Sequence, residues 1–203
     1  MINKAIYIVG INGNMGTRYK SILKGGGIKY LGHDFGESLK FTDENKIHGF
    51  IIVSPTNTHL IEIAKLFKFK KPILCEKPLT LDLKELTLFE KEHEDNLQFL
   101  TMINQYRFLY NENSQGETYY NYFKSGQDGL KWDCINIIGL SDNIPSIKNT
   151  SPEWLCKING KKLSLADMDK AYIQMIKEWL INPKSNFGYA KKAHEKVLKW
   201  FPF

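Results

Sequence analysis

Short apolar runs alternate with amphipathic stretches along the first half of the chain. Apolar residues dominate positions 5–9, 28–33, 49–53, 72–75 and 97–103. Continuous apolar runs of this length are typical of parallel strands that are covered on both faces. The stretches between them place apolar residues on one helical face, as Leu60, Ile63, Ala64 and Phe67 do. The alternation predicts a right-handed, doubly wound parallel sheet of the α/β class over residues 1 to about 103.

Two local details of this half lead to expectations of their own. Only residues 35–48 separate the second apolar run from the third, which is short for a crossover helix with its two loops. We therefore expect a reduced turn of helix or an irregular link there. Further along, Thr80 is expected to cap the helix that carries Leu83, Leu86 and Phe89.

The second half of the chain predicts a smaller α+β lobe. Residues 132–140 have the pattern of one strand, and residues 153–158 and 161–165 predict a hairpin around Asn159 and Gly160. These three strands would make a small sheet. Ser164 and Asp167 resemble a capping box that opens a helix with one apolar face, and a last helix is expected over residues 189–200.

A glycine-rich turn connects the first strand to the first helix. Its residues are Gly10, Ile11, Asn12, Gly13, Asn14, Met15 and Gly16. Glycines let the backbone approach a pyrophosphate closely, and the first N–H groups of the helix favour its negative charge. The turn therefore predicts a dinucleotide cradle. Its spacing is G-x-x-G-x-x-G rather than G-x-G-x-x-G, so a tight strand-to-helix turn without a ligand stays an alternative.

Asp34 ends the second apolar run, 18 residues after Gly16. An acidic residue at about this distance contacts the ribose hydroxyls in dinucleotide-binding folds. Its charge would repel the 2′-phosphate of NADP, so NAD is the expected cofactor and NADP the less favoured one. A turn aspartate before Phe35 and Gly36 is the other interpretation. Loop and aspartate together predict a Rossmann domain over residues 1–108, followed by the reduced lobe over residues 109–203.

Polar residues follow the third and fourth apolar runs, where open α/β sheets place their ligand contacts. They are Ser54, Pro55, Thr56 and His59 after the third run, and Glu76, Lys77 and Pro78 after the fourth. His59 either faces a ligand or lies on the surface as a first-turn histidine. A charged pair directly after a buried strand is expected to take part in binding or chemistry.

Composition and charge exclude several classes of protein. With 42% hydrophobic and 25% charged residues, the 203-residue chain can bury a core and is not disordered. Its apolar runs are far shorter than the roughly 20 residues that span a bilayer, which predicts a cytosolic protein. The net charge of +6 fits a polyanion partner or simply a lysine-rich surface. Cys75, Cys134 and Cys156 have spacings that fit no zinc or disulfide framework, so buried thiols are expected.

The motifs together resemble those of the Gfo/Idh/MocA family, the glucose–fructose oxidoreductase and inositol dehydrogenase group of nicotinamide-dependent enzymes. The glycine loop, the loop from Ser54 to His59, Glu76-Lys77-Pro78 and Tyr106-Arg107-Phe108 follow the family's order over residues 4 to about 140. The resemblance implies that Lys77 lies near the nicotinamide and the substrate hydroxyl, and that Glu76 and His59 hold the nicotinamide end. It also implies a sugar, cyclitol or nucleotide sugar as substrate.

The second half departs from the family's pattern. Family members usually continue into a large antiparallel sheet with an Asp-x-x-x-His motif. In this chain, the nearest match begins at Asp133 and has Ile137 where the motif has histidine. The late His194 shares an apolar stripe with its neighbours, so a packed histidine is expected rather than a catalytic one. A non-catalytic dinucleotide-binding protein, either a sensor or an assembly subunit, is therefore the alternative to an enzyme. Nucleic-acid binding is a more distant one.

As an enzyme, the chain would use Lys77 as its acid–base group, because a lysine beside a cationic cofactor gives up its proton more readily. Tyr106 is the second candidate, and Arg107 would orient an oxygen-rich or anionic substrate. The expected partners are NAD and a small-molecule substrate, without metal, nucleic acid or membrane. A small C-terminal sheet rich in Trp, Ile and Leu would expose an apolar face, which predicts a homodimer through that sheet.

Overall fold

The computed structural model describes residues 4–103 and 164–200, with four short strands between these ranges. The first range contains β1 (Ala5–Val9), α1 (Asn14–Gly25), β2 (Tyr30–His33), β3 (Ile47–Ile52), α2 (His59–Phe67), β4 (Ile73–Cys75), α3 (Leu83–Glu92) and β5 (Leu100–Met102). The short strands are β6 (Asn121–Tyr122), β7 (Trp132–Cys134), β8 (Lys157–Ile158) and β9 (Lys161–Lys162). The second range contains α4 (Leu165–Ile181) and α5 (Phe187–Trp200).

Strands β1 to β5 form one sheet in the order β2-β1-β3-β4-β5, and all neighbouring strands are parallel. The predicted doubly wound parallel sheet is therefore confirmed. Every residue of β1 is buried, as expected for a central parallel strand. The strand order reverses between β1 and β3. In open α/β sheets, the crevice outside the carboxyl ends at such a reversal is where ligands bind.

The link between β2 and β3 contains a single 3-10 turn over Glu44–Lys46, as its short length predicted. Leu39 and Phe41 of this link pack against the core. The buried hydroxyl of Tyr7 accepts a hydrogen bond from the Lys40 backbone at 2.6 Å and lies 3.0 Å from Nδ1 of His33. A polar contact inside the core thus fixes a link that has no crossover helix.

Two local predictions are corrected by the structure. Asp82, and not Thr80, caps α3, because its carboxylate accepts a hydrogen bond from the Lys84 backbone at 2.8 Å. The helix begins at Leu83, and a capping side chain has to come directly before the first helical residue. The hydroxyl of Thr80 instead donates to the Glu85 carboxylate. The fifth strand is also shorter than its apolar run, since residues Glu94–Phe99 form a 3-10 helix.

The chain divides into two compact units, residues 1–103 with 182–203, and residues 104–181. The first unit therefore includes α5, which the sequence pattern had assigned to the second lobe. Asn186 pairs with the edge of β5: its Oδ1 accepts from the Met102 N–H at 2.7 Å, and its Nδ2 donates to the Met102 carbonyl at 2.8 Å. The Thr101 hydroxyl donates to the Lys184 carbonyl at 2.9 Å. Contacts between such distant positions leave no periodic signal in a sequence.

The second unit contains two separate antiparallel pairs, β6 with β7 and β8 with β9. The second pair is the hairpin that Asn159 and Gly160 predicted. The expected three-stranded sheet is not formed within the described residues, because the strand that begins at Trp132 pairs with β6 instead.

The predicted capping box of α4 is confirmed. The Ser164 hydroxyl donates to the Asp167 carboxylate at 2.7 Å, and the Asp167 N–H donates to the Ser164 hydroxyl at 3.1 Å. The predicted apolar stripe is buried, and its members include Ala171, Tyr172, Met175, Ile176, Trp179 and Leu180. In the part of the chain that the structure describes, no helix is long and apolar enough to cross a bilayer.

Candidate functional site

Four segments meet at the carboxyl edge of the parallel sheet, because each follows one of its strands. They are the glycine loop after β1, Asp34 after β2, the Ser54 to His59 segment after β3 and the Glu76-Lys77-Pro78 segment after β4. Backbone bonds tie neighbouring segments together at this edge. The Gly10 N–H donates to the His33 carbonyl at 2.8 Å, and the Glu76 N–H donates to the Ile52 carbonyl at 2.8 Å.

The three glycines of the loop have different surroundings. Gly10 has a φ of +88°, and a Cβ there would lie 2.8 Å from the backbone nitrogen of Ser54. A Cβ at Gly16 would lie 2.2 Å from the Gly10 carbonyl oxygen. A Cβ at Gly13 would meet only the Gly10 oxygen, at an ordinary 3.5 Å. Gly10 and Gly16 therefore allow the loop to pack on itself and on the neighbouring segment, whereas Gly13 leaves exposed space at the start of α1.

The N-terminus of α1 faces this space, and no side chain caps its backbone N–H groups. Gly13 is the N-cap residue, no side chain caps the helix, and its first turn carries no acidic residue. Asn14 is exposed and Met15 is half-buried at the first two helical positions. The first N–H groups of a helix attract anions, so the loop fits a phosphate or pyrophosphate.

Asp34 contacts the glycine loop directly. Its two carboxylate oxygens accept hydrogen bonds from the backbone N–H and the side-chain Nδ2 of Asn12, at 3.0 and 2.7 Å. These bonds hold the pKa of Asp34 below its usual value, so the carboxylate is charged at neutral pH. Lys20 donates to Oδ1 of Asn12 at 3.3 Å. The sequence motif did not single out Asn12, since it fills a variable position between the glycines.

The turn after β3 is held by its own hydroxyl groups. The Thr58 hydroxyl donates to the Pro55 carbonyl at 2.7 Å, and the Ser54 hydroxyl lies 2.7 Å from Thr58 Oγ1. Since Thr58 uses its single hydroxyl hydrogen in the first bond, Ser54 is the donor of the second. Ser54 is buried, while Pro55 is exposed and Thr56 half-buried. The accessible part of this turn is therefore Pro55, Thr56 and Asn57.

His59 lies below the edge and is only 1% exposed. Its Nδ1 is 2.7 Å from the Pro78 carbonyl oxygen, and its Nε2 is 2.8 Å from the Ser54 carbonyl oxygen. Burial lowers the pKa of this imidazole, and the two carbonyl contacts oppose that effect. The surface alternative for His59 is thus wrong, and the ring joins the segments that follow β3 and β4.

Glu76 and Lys77 follow β4 at the same edge. Glu76 is 7% exposed, and its Oε2 accepts a hydrogen bond from the Lys77 N–H at 3.1 Å. Lys77 is half-buried, and its peptide bond to Pro78 is cis. Cys75 is the buried thiol that the sequence predicted, and burial raises its pKa well above the usual value. Tyr106 and Arg107 lie outside the described residues.

His194 of α5 also reaches this region, and it is fully buried as the sequence predicted. Its Nε2 accepts a hydrogen bond from the Leu79 N–H at 2.9 Å, while its Nδ1 lies 2.7 Å from the Ala190 carbonyl oxygen. Burial lowers the pKa of His194 to about 4. The described residues contain no group of three or more side chains that could hold a metal ion.

No protein-family model and no curated protein sequence matches the chain. The structure is similar to a myo-inositol dehydrogenase from Corynebacterium glutamicum, at 20% identity and a TM-score of 0.45, over 52% of this chain and 37% of that one. It is similar to a Gfo/Idh/MocA family oxidoreductase from Vibrio cholerae, at 17% identity and a TM-score of 0.42, over 51% and 39%.

A third similar structure is the WlbA dehydrogenase from Thermus thermophilus, which was solved in complex with NAD and UDP-GlcNAcA. It shares 19% identity at a TM-score of 0.41, over 52% of this chain and 43% of that one. The matches thus span about half of this chain and at most 43% of these three neighbours. The structural neighbours are oxidoreductases, and they include the family that the sequence motifs resemble.

Proposed function

We propose that this chain is a nicotinamide-dependent oxidoreductase that moves a hydride between NAD(H) and a carbinol or carbonyl carbon of a small polar substrate. The observation that carries the proposal is the open, uncapped helix start at Gly13, at the point where the strand order reverses. Asp34 and Lys77 follow strands of the same sheet edge, so a charged ribose contact and a candidate acid–base group accompany the cradle.

The residues at this edge fit a dinucleotide. The backbone N–H groups of Asn14 and Met15 would hold the pyrophosphate above Gly13. A carboxylate offers about four acceptor sites, and Asn12 uses two of those on Asp34. Asp34 can therefore accept ribose hydroxyls while it keeps the loop in place. Its charge opposes the 2′-phosphate of NADP, so we propose NAD as the cofactor.

The chemistry assigned to the chain's own residues is positioning and proton transfer. When bound, the nicotinamide supplies or accepts the hydride. Lys77 would hold at its Nζ the proton that the substrate oxygen exchanges, with Tyr106 as the second candidate and Arg107 as a substrate contact. Glu76, Pro55 and Thr56 would complete the cofactor site. The substrate class, a sugar, cyclitol or nucleotide sugar, follows from the resemblance of the motifs.

A non-catalytic dinucleotide-binding protein is the second candidate. It is favoured by Ile137, which occupies the position of the histidine in the family's Asp-x-x-x-His motif. Loss of a proton-transfer group would leave the cofactor site intact and remove turnover. The cradle, Asp34 and Asn12 would then serve a sensor or an assembly subunit.

The test combines cofactor binding with a search for turnover. The protein is titrated with NADH and NADPH by ligand fluorescence and then screened against sugars, cyclitols and sugar nucleotides. We expect NADH to bind, NADPH to bind more weakly, and at least one compound to be converted. Absence of NADH binding would overturn both candidates. Binding without any turnover would establish the second candidate.

Lys77→Met identifies the acid–base group once a substrate is known. We expect NADH affinity to be kept and turnover at saturating substrate to fall by about 10²–10⁴. Lys24→Met, the same substitution at an exposed lysine at the end of α1, is the control and should keep wild-type turnover. Wild-type turnover in Lys77→Met would move the proton-transfer role to Tyr106.

A further inference from the structure

One peptide group, between Pro78 and Leu79, contacts two buried imidazole rings. Its carbonyl oxygen lies 2.7 Å from Nδ1 of His59, and its N–H donates to Nε2 of His194 at 2.9 Å. His59 opens α2 and His194 belongs to α5, so the two rings come from different helices. This peptide group begins one residue after Lys77.

The protonation state of His194 follows from its neighbours. The Leu79 N–H can only donate, so Nε2 of His194 is the acceptor. The Ala190 carbonyl can only accept, so Nδ1 carries the hydrogen. His194 is therefore the neutral Nδ1–H tautomer, and in that form it satisfies both backbone groups. A protonated ring would leave the buried Leu79 N–H without its acceptor.

His59 adds a connection to the segment after β3. Its two nitrogens face the Pro78 and Ser54 carbonyls, so a neutral ring bonds one carbonyl and a protonated ring bonds both. Burial disfavours the charged ring, and so does its position at the positive end of the α2 dipole. In the neutral Nδ1–H form, His59 donates to the Pro78 carbonyl and so holds the backbone next to Lys77, and only a doubly protonated ring would also bond the Ser54 carbonyl.

We propose that His59 and His194 are positioning residues for Lys77, which they fix at the sheet edge by holding the Pro78–Leu79 peptide from both sides. The proposal deepens the proposed function and rests on it for the role of Lys77. Residues 76–82 lie outside any helix or strand, so the two rings replace the restraint that secondary structure would give. Small displacements of a catalytic group cost large factors in rate, which is why such a restraint matters.

The first experiment measures hydrogen exchange at the Leu79 amide by NMR. In His194→Leu, which removes the acceptor, we expect exchange at Leu79 to be faster by about tenfold or more. His194→Gln should restore part of the protection, because its side-chain oxygen can accept the same bond. Asn186→Leu is the matched control, since it removes another side-chain contact between the C-terminal segment and the sheet and should accelerate Met102 rather than Leu79.

The second experiment measures the rate at which acetic anhydride labels Lys77, relative to the exposed Lys24 of the same protein. We expect labelling of Lys77 to rise several-fold in His194→Leu and in His59→Leu, and to stay at the wild-type rate in Asn186→Leu. A loss of stability alone would act equally in the control, so this difference separates positioning from mere destabilisation. Wild-type rates at Leu79 and Lys77 in a folded His194→Leu protein would overturn the proposal.

The wild-type chain provides a test that needs no variant. A long-range ¹H–¹⁵N spectrum of the imidazole groups should show His194 as the Nδ1–H tautomer, and the Nε2–H tautomer would overturn the proposal. Added NADH should slow the labelling of Lys77 if the proposed function is right. If NADH gives no protection but the histidine variants still change the labelling, the function fails and the positioning stands. If NADH protects Lys77 but the variants leave its labelling unchanged, the function stands and the positioning fails.

Discussion

At the scale of single residues, the three glycines of one loop differ in whether the fold requires them. Gly10 and Gly16 are required by contacts, because a Cβ at either would overlap backbone atoms, while Gly13 is not. A glycine that the fold does not need, at the start of an uncapped helix, supports the proposal that a ligand occupies this space. Gly13 thus differs from Gly10 and Gly16, although all three look alike in the sequence motif.

Gly13→Val is expected to abolish NADH binding while the fold stays intact. Its φ of −67° and ψ of 170° suit a β-branched residue, and the side chain would fill the space above the helix start. Fluorescence titration with NADH measures the loss, and circular dichroism checks the fold. Gly25→Val at the opposite end of α1 is the control, since a Cβ there meets nothing within 4 Å. Wild-type NADH affinity in a folded Gly13→Val protein would contradict the proposal that the glycine loop binds the pyrophosphate.

The buried His194 predicts a loss of stability in mild acid. Burial lowers its pKa from 6.5 to about 4, so between these values the unfolded chain binds a proton that the folded chain does not. The free energy of unfolding therefore falls as the pH decreases through this window, and the contribution is complete above it. Because one pKa unit corresponds to about 1.4 kcal/mol, the total loss approaches about 3 kcal/mol.

Urea unfolding of the wild type and of His194→Gln across this pH window measures the effect. Other groups act in the same direction, since the pKa values of His33, His59, Asp34 and Glu37 are also lowered. Only the difference between the two proteins isolates His194. The two stability curves should approach each other as the pH falls, and parallel curves would show that His194 does not titrate in this way.

At the scale of elements, α5 completes the first unit although it follows the second in the chain. Asn186 acts like a short strand, because its amide satisfies both backbone groups of Met102 on the edge of β5. Lys191 forms an ion pair with Glu90 of α3, which adds a contact on the helix side. The segment 182–200 is therefore part of the structure that carries the candidate site.

Asn186→Ala is expected to lower the free energy of unfolding by roughly 2 kcal/mol, since it leaves a buried donor and acceptor without partners. Asn182→Ala is the matched control at an exposed position of the same segment, and it should change stability by less than about 0.5 kcal/mol. Thermal and urea unfolding measure both. Equal stability of the two variants would mean that water replaces the amide at the edge of β5.

At the scale of the whole molecule, the homodimer through the C-terminal sheet stays a prediction. In the same unit, α4 carries two exposed apolar side chains, Ile173 and Ile181, where a charge can be introduced as a test. Equilibrium sedimentation should give twice the chain mass of 23.5 kDa. Ile181→Asp should shift the equilibrium toward the monomer, whereas Ile61→Asp at an exposed position of α2 should not. A monomer at tens of micromolar would speak against the dimer.

The sequence by itself determined most elements of the first unit and the segments that form its candidate site. Apolar runs report burial of a strand on both faces, and helical spacing reports one buried face, so both are local signals. The sequence also predicted the short link after β2, the hairpin around Asn159 and the capping box at Ser164. These features are predictable because the chemistry of turns and caps depends on a few adjacent residues. The position of the polar segments at the carboxyl edge followed from the parallel topology alone, because each segment comes directly after a strand.

Only the tertiary structure decided which of these residues contact one another. Asn12 bonds Asp34 across 22 positions, Asn186 bonds Met102 across 84, and His194 bonds Leu79 across 115. Such bonds need a single donor and acceptor at the right distance, and they impose no repeating pattern on the chain. For the same reason, His59 could be placed near the ligand edge from the sequence, but its burial between two carbonyls required the packed segments around it.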